Sequence, residues 1–197
     1  MVDKFRPLLA AEASEEADFA KLRYPQLASP KIDGIRVLIL EGTAVTRSLK
    51  PVRNRYVSTM LSELAHSGFD GEITAGDGLD PMTFRNTTTA VMAEHGQMPF
   101  TYWVFDNFEY VPDAYNPATF ENRFHEMRNR VEELNLPFIK VLPHTLINDF
   151  NELQRYEEDV LKLGFEGAML RDPKGKYKYG RSTLNEGILV KLKRGIS

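Results

Sequence analysis

An α+β fold is predicted by two periodicities that alternate along this chain. Ile35 to Leu40 and Thr101 to Phe108 are short apolar or aromatic runs with the length and composition of strands. Elsewhere Phe120, Phe124, Met127, Val131 and Leu134 recur at helical spacing. A third observation is the turn: Glu41-Gly42 separates Ile35–Leu40 from Ala44–Thr46, so the two runs can pair as an antiparallel hairpin. Antiparallel-looking strands with interspersed helices are α+β.

In chain order, residues 8 to 22 are rich in Ala and Glu and read as a short helix. Tyr24-Pro25 and a turn, Ser29-Pro30-Lys31-Ile32-Asp33-Gly34, follow. Pro30 breaks the preceding run, which puts Lys31 at the lip of the Ile35–Leu40 strand. Val52 to Ser67 reads as an amphipathic helix, with Val57, Met60, Leu61 and Leu64 on one side and Gly68 as its stop. Gly71 to Thr74 is a strand, Gly76-Asp77-Gly78 a turn, and Thr88 to Glu94 a helix ended by Gly96. Asn116-Pro117 is a helix start for the apolar positions from Phe120 to Leu134. Phe138 to Leu142 is a strand. Asp149-x-x-Glu152 resembles a capping box and opens a helix running to Leu163 and Gly164. Ala168 to Leu170 and Ile188 to Leu192 are the last strands. No internal repeat or low-complexity tract interrupts the series.

Composition bounds the chemistry. With 197 residues, 42% of them hydrophobic, the chain can bury the core of one domain, or two at most. A net charge of −3 argues against capture of nucleic acid by bulk charge, although a local basic face needs only its own patch to be positive. With no cysteine there are no disulfides, no thiolate catalysis and no Cys-type zinc site, which fits a cytosolic protein. No apolar run approaches the ~20 residues of a membrane span. Met1-Val2-Asp3-Lys4 lacks a signal peptide's apolar core. A cytoplasmic monomer with no membrane partner is expected.

The chemistry centres on Lys31-Ile32-Asp33-Gly34-Ile35-Arg36. A surface lysine is ordinarily protonated and not nucleophilic. Nearby cations such as Arg36 or a metal would favour the neutral amine. Asp33 can orient that amine, and Gly34 lets a backbone approach a ligand closely. Downstream come Thr46-Arg47-Ser48, then Lys50, Arg53 and Arg55, a basic cluster on an acidic chain. A solvated helix face and contacts to nucleic-acid phosphate account for this cluster equally well. Asp70-Gly71-Glu72 enters a strand. Trp103-Val104-Phe105-Asp106 is too aromatic for pattern alone to single out one stacking ring. Glu166-Gly167-Ala168-Met169-Leu170-Arg171 sets a carboxylate and a cation on either side of a strand, and Glu166 can hold a divalent cation. Tyr177-Lys178-Tyr179-Gly180-Arg181 is a basic, aromatic loop. Lys191 and Lys193, two apart on a strand, point the same way.

Lys-x-Asp-Gly-x-Arg, followed in order by Asp-Gly-Glu, aromatic-Asp, Glu-Gly-x-x-x-Arg and Lys-x-Lys, resembles the motif series of the covalent nucleotidyltransferases. The similarity runs from about Lys31 to Lys193 and is nearest to small phage-type ATP-dependent DNA ligases. It implies an ATP-grasp-like nucleotidyltransferase fold of antiparallel sheets flanked by helices. It also implies ATP as AMP donor, Mg²⁺, and nicked duplex DNA as partner, with roles in replication and repair. The resemblance makes Lys31 the nucleophile that becomes lysyl–AMP. It gives nucleotide contacts to Pro30, Lys31, Ile32, Arg36, Arg47, Glu72, Phe105, Arg171, Lys191 and Lys193, and metal contacts to Glu72 and Glu166. DNA contacts go to Arg47, Lys50, Arg53 and Arg181. An RNA ligase, a capping-type guanylyltransferase and a non-catalytic nick-binding module are the alternatives. An NAD-dependent ligase fits badly, since about 30 residues precede Lys31 and cysteine is absent. Family ligases continue into an OB-fold domain. With four residues after Lys193, residues 1–197 are expected to be an adenylation domain without it.

Overall fold

In the computed structural model, which describes residues 4–76 and 83–192, ten strands and five α-helices follow one another along the chain. They are β1 (Ala11–Ala13), α1 (Glu16–Phe19), β2 (Gln26–Pro30), β3 (Ile35–Leu40), β4 (Thr43–Thr46), α2 (Arg55–Leu61), β5 (Phe69–Ala75) and α3 (Thr83–Met92). Then come β6 (Phe100–Asn107), α4 (Phe120–Leu134), β7 (Ile139–Val141), β8 (Thr145–Ile147), α5 (Phe150–Lys162), β9 (Ala168–Arg171) and β10 (Leu189–Leu192). The chain divides into two compact units. The first draws on Met1–Lys31, Ala118–Glu121 and Pro143–Ser197, the second on Ile32–Pro117 and Asn122–Leu142.

The first unit holds a five-stranded sheet in the order β1-β10-β9-β2-β8. Its core face carries Ala28, Ala168, Leu170, Val190 and Leu192, which pack with Leu153 and Val160 of α5. Alternation along each strand leaves Ser29, Met169 and Lys191 on the opposite face, in one cross-strand row. The second unit holds the sheet β4-β3-β5-β6-β7. Val37, Ile73, Tyr102, Val104 and Ile139 form its core face with Val57 and Leu61 of α2 and Met127 and Val131 of α4. Each sheet is antiparallel except for one pair, β1 with β10 and β6 with β7, which run parallel.

Several elements depart from the sequence reading, each for a tertiary reason. Residues 8 to 22 are not one helix. Ala11–Ala13 is drawn into a parallel ladder with Val190–Leu192, and only Glu16–Phe19 is helical. Local helix propensity yields there to pairing with a distant strand. Ser29-Pro30 belongs to β2 rather than to a loop. Pro30 pairs with Ala168 of β9 and lies beyond the last β2–β8 pair, Ala28 with Thr145, so its missing N–H costs no bond on that side. Lys31 therefore follows the end of β2 instead of leading into β3.

Helix α2 is shorter than Val52–Ser67. Asn54 caps it by accepting from the Val57 N–H at 2.9 Å, and Ser62–Leu64 tightens into a 3₁₀ turn. Helix α3 starts at Thr83, earlier than the threonine run suggests, and ends at Met92. Helix α4 starts at Phe120 rather than at Asn116-Pro117, because the Asn116 side chain and N–H both bond to Asp113 in a compact loop. Asp77 and Gly78 of the expected turn lie outside the described residues.

Other expectations match. Glu41 and Gly42 have φ of 47° and 77°, the positive pair that a tight hairpin between β3 and β4 requires. Asp149 caps α5 by accepting from the Glu152 N–H, while Glu152 reaches back to the Asn148 N–H instead of closing the box on Asp149.

Candidate active site

In the first unit, strand pairing brings Lys31 and Glu166 together. The Lys31 N–H donates to the Gly167 carbonyl at 2.8 Å, extending the β2–β9 ladder by one bond. Gly167 turns the chain into β9 with φ of 153°, and a Cβ there would come within 3.3 Å of the Leu192 carbonyl. Glu166, just before this turn, accepts a hydrogen bond from the Lys31 ammonium. Both side chains keep solvent access, 27% for Lys31 and 56% for Glu166. The contact is thus an exposed ion pair, a class worth about 0–1 kcal/mol, and readily exchanged.

Lys191 stands opposite Glu12 in the β1–β10 ladder and bonds its carboxylate at 2.7 Å. Lys193, the second lysine of that motif, lies outside the described residues. Arg171, expected among the nucleotide contacts, is only 4% exposed, and its guanidinium lies 4.6 Å from the centre of the Phe120 ring. Arg181 donates to the Ala10 carbonyl at 2.6 Å, and Leu9 pairs with it, so this loop straps the N-terminal segment. Lys178 bonds both oxygens of Glu186 at 2.7 and 2.8 Å, and this partner leads the contacts that hold the Glu186 carboxyl below its usual range.

In the second unit, the site residues share the face of the sheet opposite its core. Arg36 makes a forked pair with Asp70, Nε to Oδ1 at 2.9 Å and Nη2 to Oδ2 at 2.6 Å, and Asp70 is fully buried. Its charge is thereby engaged by a carboxylate instead of standing free as the cation beside a lysine. Gly34 has a different reason from the one its motif suggests. A Cβ there would lie 2.2 Å from the Ile73 carbonyl and 3.0 Å from Cγ of Glu72, so it admits the backbone of β5 rather than a ligand. Gly71 likewise admits β6, where a Cβ would fall 2.5 Å from the Trp103 carbonyl.

A β-bulge then sets Phe105. Asp70 pairs with Asp106 and Gly71 with Val104, leaving Phe105 as the extra residue of β6. Bulges re-aim side chains, and the Phe105 ring lies 5.7 Å from the Arg36 guanidinium. The bulge is locked by Asp106, fully buried, which accepts from Nε of Arg123 at 2.8 Å and from the Asn107 N–H at 2.8 Å. Burial, then the Asp70 charge, holds the Tyr102 phenol well above its ordinary pKa. It stays neutral and donates to the Val37 carbonyl.

The basic cluster is exposed. Arg47 and Lys50 sit on a turn closed by Thr46 N–H to the Lys50 carbonyl, with Leu49 at φ of 61°. Lys50 and Arg53 precede the first residue of α2, Arg55, so a solvated helix face no longer accounts for them. Arg55 instead pairs with Glu94 at 2.7 Å.

Sequence reasoning quoted Asp70 and Trp103 within their motifs without giving them a role, and passed over Arg123, Glu12 and Lys140. Asp70 and Trp103 had a local signal: on their strands they sit two residues from Glu72 and Phe105. The others are set by pairing between distant segments. Among the described residues, no three His, Cys, Asp or Glu cluster as a ready-made metal cage, and no helix is long and apolar enough to cross a membrane.

These motifs can be weighed against known proteins. A family model described as the ATP dependent DNA ligase domain matches residues 7–193. No curated protein matches. Two crystal structures of Chlorella virus DNA ligase-adenylate are similar to this chain. One is 42% identical with a TM-score of 0.78, over 95% of this chain and 68% of that one. The other is 40% identical with a TM-score of 0.81, over 96% and 67%. The ATP-dependent DNA ligase from bacteriophage T7, in complex with ATP, shares the fold at 18% identity and a TM-score of 0.67, over 95% and 68%. The motif series and these matches agree, and the chain belongs to the ATP-dependent DNA ligases, whose adenylation domain it is.

Proposed function

We propose that Lys31 is the nucleophile of a DNA-ligase reaction on nicked duplex DNA. The observation that carries this reading is the strand-end pairing of Lys31 with Glu166 inside a chain that belongs to the ligase family. Lys31 Nζ attacks the α-phosphorus of ATP. An N–P bond forms, the bond between the α-phosphorus and the bridging β-phosphate oxygen breaks, pyrophosphate leaves with the electron pair, and the amine's proton passes to solvent. AMP then moves to the 5′-phosphate of the nick and returns the lysine. The 3′-hydroxyl attacks that phosphate, AMP departs, and the strand is sealed.

Glu166 keeps the amine directed along its strand end. Arg36, fixed by Asp70, presents a rigid cation, and Phe105 offers a ring for the purine. Glu72 accepts from ribose hydroxyls. Lys191 can exchange Glu12 for a phosphate, and Pro30, Ile32 and Lys193 complete the proposed nucleotide contacts, while Arg171, buried on Phe120, supports the strand beneath them. Mg²⁺ fits an exposed carboxylate such as Glu166, because this ion is held by one or two carboxylates together with substrate phosphates. When bound it would neutralise phosphate charge. Arg47, Lys50, Arg53 and Arg181 serve the DNA backbone, in support of which the first three are exposed and off the helix.

The test is incubation with α-labelled ATP. Acid-stable label on the chain is expected, and label on a Lys31→Ala variant would move the nucleophile elsewhere. Affinity for nicked duplex should fall steeply with salt. Charge reversal at Arg47, Lys50 and Arg53 should flatten that slope, and an unchanged slope would put the DNA face on other residues.

A further inference from the structure

We infer that Trp103 is a positioning residue: it holds the Glu72 carboxylate for the nucleotide's ribose. The inference rests on the proposed role of Glu72.

Four strands of the second sheet place Arg36, Glu72, Trp103 and Lys140 in one register row, each opposite the next. The core residues Val37, Ile73, Tyr102 and Val104 alternate with this row, so its side chains share the other face. Directly opposed residues on one face have Cβ atoms about 4.5–5.5 Å apart, close enough for an indole to touch its neighbour. The Trp103 ring is itself fixed at two points. Its N–H donates to the buried Thr74 hydroxyl at 3.0 Å, diagonally across the ladder. Lys140 Nζ lies 5.4 Å from the ring centre on the other side.

Glu72 therefore stands between two rigid neighbours. On the β3 side, a Cβ at Gly34 would lie only 3.0 Å from Glu72 Cγ, so the glutamate chain lies over the bare Gly34 backbone. On the β6 side stands an indole that its hydrogen bond keeps from rotating. A glutamate has three side-chain torsions, and a strand surface alone fixes none of the outer ones. With its chain over the Gly34 backbone and a fixed indole in the opposed register position, Glu72 has fewer orientations open to its carboxylate, as discrimination of a ribose hydroxyl requires.

Two measurements test the inference. Trp103 is the chain's sole tryptophan, so intrinsic fluorescence reports on this position alone. Saturating ATP should change its intensity or wavelength, and a flat titration would overturn the inference. Second, KM and kcat for protein–AMP formation are measured with ATP and with 2′-deoxy-ATP. The wild-type chain is compared with Glu72→Ala, Trp103→Ala and Trp103→Phe, and thermal unfolding checks that each is folded. Glu72→Ala should abolish the preference for ATP. Trp103→Ala should raise KM for ATP about tenfold, lower kcat less, and narrow the preference toward that of Glu72→Ala. Trp103→Phe, which keeps a ring but not the N–H, should fall between, and it carries the test if the alanine variant does not fold. Equal losses with both nucleotides in the tryptophan variants, while Glu72→Ala abolishes the preference, would make Trp103 merely structural and defeat this inference alone. An unchanged preference in Glu72→Ala would defeat the ribose role of Glu72 and the inference with it.

Discussion

The ion pairs that hold the candidate site residues are built in opposite ways in the two units. In the first unit, Lys31 with Glu166 and Lys191 with Glu12 are contacts between side chains that keep solvent access. In the second, Arg36 with Asp70 and Arg123 with Asp106 are forked pairs on fully buried carboxylates. The difference suits the roles proposed for these residues. The proposed nucleophile, Lys31, has to leave its partner when a phosphate arrives, so its pair must be cheap to open. A group that only shapes the site works best when its alternatives are excluded, and an unpaired charge in a dry interior is the strongest exclusion available.

The largest expected effect is functional. Lys31→Ala should remove all protein–AMP while changing unfolding free energy by less than about 0.5 kcal/mol, as an exposed site with no packing role predicts. A labelling assay and urea denaturation on the same samples check both halves. A large loss of stability would mean that Lys31 is structural after all.

Next in size is the buried side of the comparison. Arg123→Ala leaves Asp106 charged and unpaired, and should cost about 3–5 kcal/mol in urea denaturation. Replacing both residues, Arg123→Met with Asp106→Asn, should recover part of that loss. A cost below about 1 kcal/mol would put this pair in the exposed class and erase the contrast.

Glu12→Gln removes the partner of Lys191 in the first unit. Its effect on stability should not exceed about 1 kcal/mol. A larger value would show that exposure alone does not make these pairs weak.

The smallest effect is on pH dependence. Lys178 leads the contacts that depress the Glu186 carboxyl, with the Thr183 N–H next. A carboxylate with a lowered folded pKa stabilises fully above the ordinary glutamate range and stops doing so as pH falls through the folded value. Glu186→Gln should therefore be slightly less stable than wild type at neutral pH, with the two curves merging in acid. Curves that diverge in acid would reverse the assigned sign.

What was legible in the sequence follows the range of the interaction. The hairpin at Glu41-Gly42, the cap at Asp149 and the series of motif residues are written in a few neighbouring positions. Such features need only local geometry, since positive φ suits Gly and a short carboxylate suits an N-cap. The chain alone thus determined the fold class and the family, and it marks Lys31 as the proposed nucleophile. The placement of Ala11–Ala13 as a strand, the burial of Arg171 against Phe120 and the partner of Arg36 were not legible, because each joins segments far apart in sequence.

Gly34 and Phe105 show the division most clearly. The sequence marks both, but the reason for each lies in a neighbouring strand. Gly34 is small because β5 runs against it, and Phe105 is turned toward Arg36 because β6 carries one residue more than its partner at Asp70-Gly71. Residue type is chosen position by position, so the sequence determined which groups the reaction can use. Orientation is a property of ladders and buried pairs that close only when distant segments meet, and only the tertiary structure decided how those groups are held.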